Sequence, residues 1–259
     1  MNSNKVISVV NQKGGVGKTT TAVNLSTALA AIEKKVLLID LDPQGNLSTG
    51  LGFSSKDRTV TVYDLIMDEE FSIEDTIVKT KIPGLHIISS SINLSGIEFE
   101  LANETEKNLK LFNKLNNLNN EYDYIIIDCP PSLGILTVNA LVASNSLIVP
   151  LQCEFYALEG LAQLLRTIET IKNNLNESLY LEGVVLTMYD SRNRLSEDVI
   201  SDARKHLGDK VFATIIPRNV KLSEAPSHGL PAILYDRKCS GSLAYIKLAK
   251  EFISRQNIN

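Results

Sequence analysis

Cysteine is scarce in this chain, and the three present, Cys129, Cys153 and Cys239, are widely spaced with no CxxC pair. That excludes a disulfide framework, offers no zinc-binding spacing and points to a reducing compartment, the cytoplasm. Histidine is equally sparse: His86, His206 and His228 show no metal-ligand spacing and read as structural residues. No apolar run approaches the roughly 20 residues that span a bilayer. The opening MNSNK leads at once into a strand-like segment without a signal-peptide pattern, so a soluble chain that is not exported is expected. A general excess of positive charge is missing too. The net charge is −4, which excludes a chain that is basic throughout.

With 44% hydrophobic and 22% charged residues over 259 positions, the chain can bury a full core. It fits one large α/β domain, expected to span residues 1–259. Apolar, β-branched runs predict strands at Val6 to Val10, Val36 to Asp40, Leu85 to Ile88, Tyr124 to Asp128, Ser146 to Pro150 and Gly183 to Met188. Between them lie segments of helical period. One carries Val23, Leu25, Leu29 and Ile32, a second Val62, Leu65 and Ile66, and a third Ile73 and Ile77. Others begin at Ile97 or carry Leu111, Phe112, Leu115 and Leu118, and the last two run over Leu158 to Leu175 and Leu243 to Phe252. Strands alternating with helices imply right-handed crossovers and a mainly parallel twisted sheet covered by helices on both faces. The charge is uneven: from Arg192 to Arg255 twelve Lys and Arg outnumber seven Asp and Glu, a local +5, while the rest carries −9. A polyanion partner would therefore meet the C-terminal third, although a solvated mixed surface accounts for the charge equally simply.

The chemistry starts at Gln12 to Thr20, QKGGVGKTT, between the first strand and the first helix. Strand, glycine loop, Lys-Thr and helix together form a phosphate-binding loop. Glycines let backbone N–H groups turn inward around phosphate oxygens, and the helix presents its positive end to the same anion. Lys18 is placed to reach the β and γ phosphates, and the Thr19 hydroxyl to ligate Mg²⁺. The usual GxxxxGK[ST] pattern asks for glycine at position 12, where Gln12 stands; Lys13 instead opens a compact KGGVGKT. The second lysine has no room on the side Lys18 occupies, which suggests a neighbouring subunit's nucleotide. Lys13, Gly14, Gly15, Val16, Gly17, Lys18, Thr19 and Thr20 make up the candidate nucleotide loop.

Two carboxylates follow at strand ends. Asp42, in LDPQGN after VLLID, lies where α/β sheets hold their ligands and is a candidate to orient the attacking water; alternatively it is a turn residue. Asp128, at the end of YIIID and before Cys129, Pro130 and Pro131, is placed to hold Mg²⁺ through water. Thr19, Asp42 and Asp128 are thus the candidate metal residues. Cys129 has no cationic partner nearby in sequence and reads as a small buried residue rather than a nucleophile.

KGGVGKT, DPQGN, DCPPS and the IPRN string ending at Asn219 resemble the deviant Walker A ATPases. That group contains the ParA/Soj partition proteins, MinD and the nitrogenase iron protein. The likeness runs from Lys5 to Phe252 and is greatest to the short ParA/Soj class. It implies a P-loop ATPase in which ATP and Mg²⁺ hold two protomers face to face, with Lys13 crossing to the partner's ATP. Lys13, Lys18 and Asp42 are then catalytic. The resemblance further implies a strand ending in IPRN, with Pro217 and Asn219 bordering the adenine, the plainer alternative for Asn219 being a capped turn. It places DNA contacts at Arg192 and Arg218, extended by Lys221, against ordinary surface charge. It also implies non-specific double-stranded DNA, a ParB-type centromere-binding partner that stimulates hydrolysis, and a cytoplasmic, nucleoid-associated protein segregating chromosome or plasmid origins. No helix-turn-helix precedes the first strand, so site-specific DNA binding is not expected. A MinD-like membrane-associated regulator and a P-loop metabolic enzyme are the alternatives. The final helix, expected to pack on the core, weighs against the first.

Overall fold

The computed structural model describes residues 4–119 and 121–256. Among the described residues there are seven strands: β1 (Lys5–Val9), β2 (Val36–Asp40), β3 (Ile77–Lys79), β4 (Leu85–Ile88), β5 (Tyr124–Asp128), β6 (Ser146–Gln152) and β7 (Tyr180–Thr187). They form one sheet in the order β3-β4-β2-β5-β1-β6-β7, parallel except where β3 runs against β4. The central strands read as continuous apolar runs because both faces are covered. Side chains alternate accordingly. Val6, Leu37, Ile39, Ile125 and Ile127 enter one core, with Leu111, Ala140 and Leu164 from the helices Lys110–Asn116, Ile135–Ala143 and Ala157–Asn174. Ile7, Val9, Val36, Leu38 and Ile126 enter the other, with Leu25 and Leu29 of the helix Lys18–Ala30 and Tyr245, Leu248 and Phe252 of the helix Ser240–Gln256. A mainly parallel sheet with helices on both faces is therefore observed, and the final helix packs on the core.

Several expectations shift in detail. Ile77 starts β3 instead of continuing a helix: the helix Ile73–Thr76, capped by Ser72, stops at an extended Ile77, where a β-branched pair enters the sheet edge. Ile32 lies beyond the first helix, and Phe112 and Leu243 face outward instead of joining their stripes. The segment Val211 to Pro217 is no regular strand and meets the sheet edge through the isolated bridges Val184↔Val211 and Tyr189↔Pro217 and a bond from Ile216 N to Leu186 O. The cause is local. Phe212 N and Ile216 N reach β7 at Val184 O and Leu186 O, but Thr214 N, the one between them in the alternation, donates instead to the Glu251 carboxylate at 2.8 Å, as does the neighbouring Ala213 N at 2.7 Å. Among the described residues no helix is long and apolar enough to cross a membrane.

Candidate nucleotide site

Every parallel strand delivers its carboxyl end to the same edge of the sheet, and the candidate residues collect there. The loop after β1 turns left-handed at Gly15 (φ 75°) and at Gly17 (φ 90°), the residue that opens the helix Lys18–Ala30. These are positions at which a side chain is strained. Asn11 anchors the loop from one side, accepting from Lys13 N at 3.0 Å and donating to Pro150 O at 2.7 Å. Thr187 Oγ1 anchors it from the other by donating to Val16 O at 2.8 Å. Neither anchor was singled out in the sequence, since a lone polar residue at a strand end carries no periodic signal.

Lys18 is buried, and its Nζ donates to Lys13 O at 3.1 Å, folding back over the loop. Burial holds its ammonium below the ordinary lysine range, with the Asp128 carboxylate acting in the opposite direction. Thr19 Oγ1 donates to Asp128 Oδ2 at 2.7 Å, while the buried Asp128 Oδ1 has no hydrogen-bond partner. Asp128 is paired in register with Asp40 on β2. Burial first, then this neighbour, raise Asp128 well above the usual carboxylate range. Asp40 is pushed up to about 6 by burial, even though Ser48 N and Oγ both donate to it. Asp42 is buried just beyond: its Oδ1 accepts from Gln44 N at 3.0 Å, and its carbonyl accepts from Gly45 N and Ser90 Oγ. Arg58, another residue the sequence did not flag, holds the same turn through Gly45 O and Thr49 Oγ1.

A buried carboxylate oxygen without a partner, next to a hydroxyl, fits a hard divalent cation. Among the described residues no group of three or more His, Cys, Asp or Glu is arranged to hold a metal alone. This donor set therefore suits Mg²⁺ that keeps waters and takes ligand phosphate oxygens, rather than a cage built wholly from protein. The thiols take no part: burial pushes Cys129 far up and Cys153 up to about 11.

Beside the loop lies a cavity of about 310 Å³ lined by Gly17, Thr20, Thr187, Met188, Pro217 and Asn219, among others. Pro217 and Asn219 thus adjoin the phosphate loop, as their assignment to the adenine requires. The Asn219 side chain is already engaged, its oxygen accepting from Lys221 N and its nitrogen donating to Ser240 Oγ, both at 2.8 Å. Met188, held left-handed at φ 53°, forms part of the wall without any sequence signal.

Lys13 turns away from the loop and pairs with Glu154, just after β6. Arg192 and Arg218 line a separate cavity of about 340 Å³, brought together by the bond from Arg218 N to Tyr189 O. Arg192 is 86% exposed but is held by Asp190 through two bonds of 2.9 and 2.7 Å. Lys221 pairs with Glu224 at 2.8 Å and lies over the Tyr235 ring. The structure thus brings Arg192 and Arg218 to one place and sets Lys221 on the next helix, each of Arg192 and Lys221 already next to a carboxylate.

A glycine loop entering a helix, with Lys18 and Thr19 facing a buried strand-end aspartate, defines a P-loop NTPase. A family model described as "AAA domain" matches residues 4–181. The chromosome partitioning protein ParA of Caulobacter vibrioides is 56% identical over 97% of this chain and 95% of its own. The sporulation initiation inhibitor protein Soj of Bacillus subtilis is 52% identical over 95% and 97%. A crystal structure of cobyrinic acid a,c-diamide synthase from Mycobacterium smegmatis, with bound ATP analogue and magnesium, superposes with a TM-score of 0.85 at 38% identity over 95% of this chain and 93% of that one. The chain belongs to the ParA/Soj family of chromosome-partitioning ATPases.

Proposed function

We propose that this chain, as one domain over residues 1–259, is a cytoplasmic, nucleoid-associated ATPase that moves DNA by cycles of ATP-dependent dimerisation. The observation that carries the reading is the juxtaposition of Lys18, Thr19 and the half-satisfied Asp128 beneath a loop whose outer residues, Lys13, Gly14 and Gly15, stay exposed. Mg²⁺ held there by Thr19 and Asp128 would supply charge neutralisation for the bound nucleotide's phosphates. The residues do the rest. Backbone N–H groups of Gly14 to Thr20 cradle the phosphates, and Lys18 leaves the Lys13 carbonyl for the γ phosphate. Thr19 and Asp128, with Asp42 nearby, hold the cation, and Asp42 also orients the attacking water. Pro217 bounds the adenine. Asn219, whose amide is committed within the chain, shapes the base pocket's wall more than it reads the base edge.

Lys13 completes the site of a second protomer once it leaves Glu154. Arg192 and Arg218, with Lys221 further along, meet the phosphates of non-specific double-stranded DNA, and pairing two protomers doubles the contacts. If each neutralises about 3 phosphates, the salt slope of binding steepens from roughly −2.7 to −5.4. A ParB-type partner stimulates hydrolysis and so releases the dimer from DNA. What supports this reading is the partitioning role in the names of relatives that are half or more identical over nearly the whole chain.

The test is DNA binding with ATP, with ADP and without nucleotide, each with and without anionic vesicles. Binding should appear with ATP alone and be indifferent to lipid; ATP-dependent vesicle binding without DNA binding would instead favour a membrane regulator. The name of the mycobacterial structure raises a metabolic reading. That reading predicts ATP turnover driven by a small carboxylic acid and unaffected by DNA.

A further inference from the structure

We propose that Phe155 and Tyr156 form the aromatic contact through which a second copy of this chain docks over the phosphate loop, an inference that rests on the dimer reading above. Both residues are 71% exposed, whereas large aromatic side chains are ordinarily buried. Their rings meet edge to face at 5.0 Å between centroids, so they present one preformed surface. The pair follows β6 directly, at the sheet edge where the phosphate loop opens. Its neighbour in sequence, Glu154, holds Lys13. Aromatics, carboxylate and the loop's outward lysine thus form one continuous strip.

Two features of that strip name a second copy as the occupant. It carries a cation and an anion side by side, so a two-fold axis through it sets opposite charges of the two copies face to face, as a self-complementary interface requires. It also contains a glycine that the chain itself does not require. Gly160 has neither a left-handed φ nor any atom within 4 Å of where a Cβ would stand, although it lies inside the helix Ala157–Asn174, one turn after Tyr156. Glycine in a helix is disfavoured against alanine, and close approach of another backbone gives this position a reason. Aromatic anchors beside small residues at a desolvated centre match the composition of interface hot spots.

The experiment is sedimentation of the full chain with Mg²⁺ and a non-hydrolysable ATP analogue, alongside titration of a fluorescent nucleotide. The parent should dimerise, and Phe155→Ala/Tyr156→Ala should raise the dimer dissociation constant about 30-fold or more, as loss of a hot spot does, with nucleotide affinity unchanged. Phe155→Tyr should preserve the dimer. Gly160→Leu should melt no lower than the parent as a monomer yet dimerise more weakly, which separates interface from folding. Unchanged dimerisation in the double alanine and Gly160→Leu variants overturns the aromatic contact and leaves the dimer reading standing. A parent that stays monomeric with the analogue overturns both. Loss of binding to anionic phospholipid vesicles, with dimerisation intact, assigns the pair to a membrane and overturns it as well.

Discussion

The two sides of the candidate site are built in different ways. On the phosphate side, Lys18, Thr19, Asp42 and Asp128 are fixed by the ends of β1, β2 and β5, three adjacent strands in strict parallel register. On the base side, Met188, Pro217 and Asn219 stand on segments joined to the sheet by isolated bridges and by one carboxylate, Glu251, reaching in from the final helix. The first construction makes position in the chain equivalent to position in space. The second depends on side chains that meet across 37 or 38 residues. Function should therefore fail at single residues on the phosphate side and erode more gradually on the base side.

Single substitutions on the phosphate side should cost the most. Lys18→Ala should remove measurable ATP binding, because it strips a buried cation from beside the Asp128 and Asp42 carboxylates; calorimetric titration showing normal affinity would undo the phosphate-loop assignment. Asp42→Ala should still bind ATP while turnover falls about 10²–10⁴-fold, the usual contribution of a proton-handling or water-positioning side chain. It should then accumulate on DNA, and wild-type turnover would rule out its role. Lys13→Ala should leave monomer nucleotide affinity intact and lower hydrolysis by about 10²-fold, the scale of one lost charge-stabilising donor. A wild-type rate would end the trans-lysine reading.

On the base side, Glu251→Gln should destabilise the fold by about 1–3 kcal/mol, the scale of hydrogen bonds to a charged group, here those from Thr214 N and the exposed Ala213 N, and loosen nucleotide binding only as a consequence. Burial pushes the Glu251 carboxyl up, but bonds from Thr214, Ala213 and Arg255 outweigh it and hold the group below the ordinary glutamate range. Its contribution is therefore complete above the unfolded value of about 4.3 and fades as pH falls through the lower folded value. The melting difference between parent and Glu251→Gln should shrink in that acid range and not on the alkaline side. Arg218→Ala, the mildest, should keep ATP binding and weaken DNA binding several-fold, flattening the salt slope by about 1. An unchanged slope would take Arg218 out of the DNA surface.

The same contrast explains what was legible beforehand. VLLID and YIIID announce buried parallel strands, and the residue after such a run has only one place to be, so Asp42 and Asp128 could be put at the sheet edge from the sequence. KGGVGKT needed only its spacing. Asn11, Thr187 and Arg58 act through contacts between residues far apart, which no local pattern encodes. The expected strand before Pro217 failed for a related reason. Its apolar residues look like a strand, but Glu251 captures Thr214 N, the donor that would have continued the ladder between Phe212 and Ile216. Asn219 lines the cavity, and its side-chain oxygen caps the helix Val220–Glu224 by accepting from Lys221 N, the capped turn that the sequence offered as the plainer reading.

The first and last long helices are joined through Thr21 Oγ1 and Tyr245 OH at 3.1 Å, across 224 residues, and share one core. During synthesis the phosphate loop emerges within the first tens of residues, but the side of the helix behind it that faces Ser240–Gln256 has no cover until that helix follows. Loop closure on that scale is slow, and exposed apolar surface invites the wrong partners. The nascent chain thus carries a complete nucleotide motif long before it carries the core that holds that motif in place.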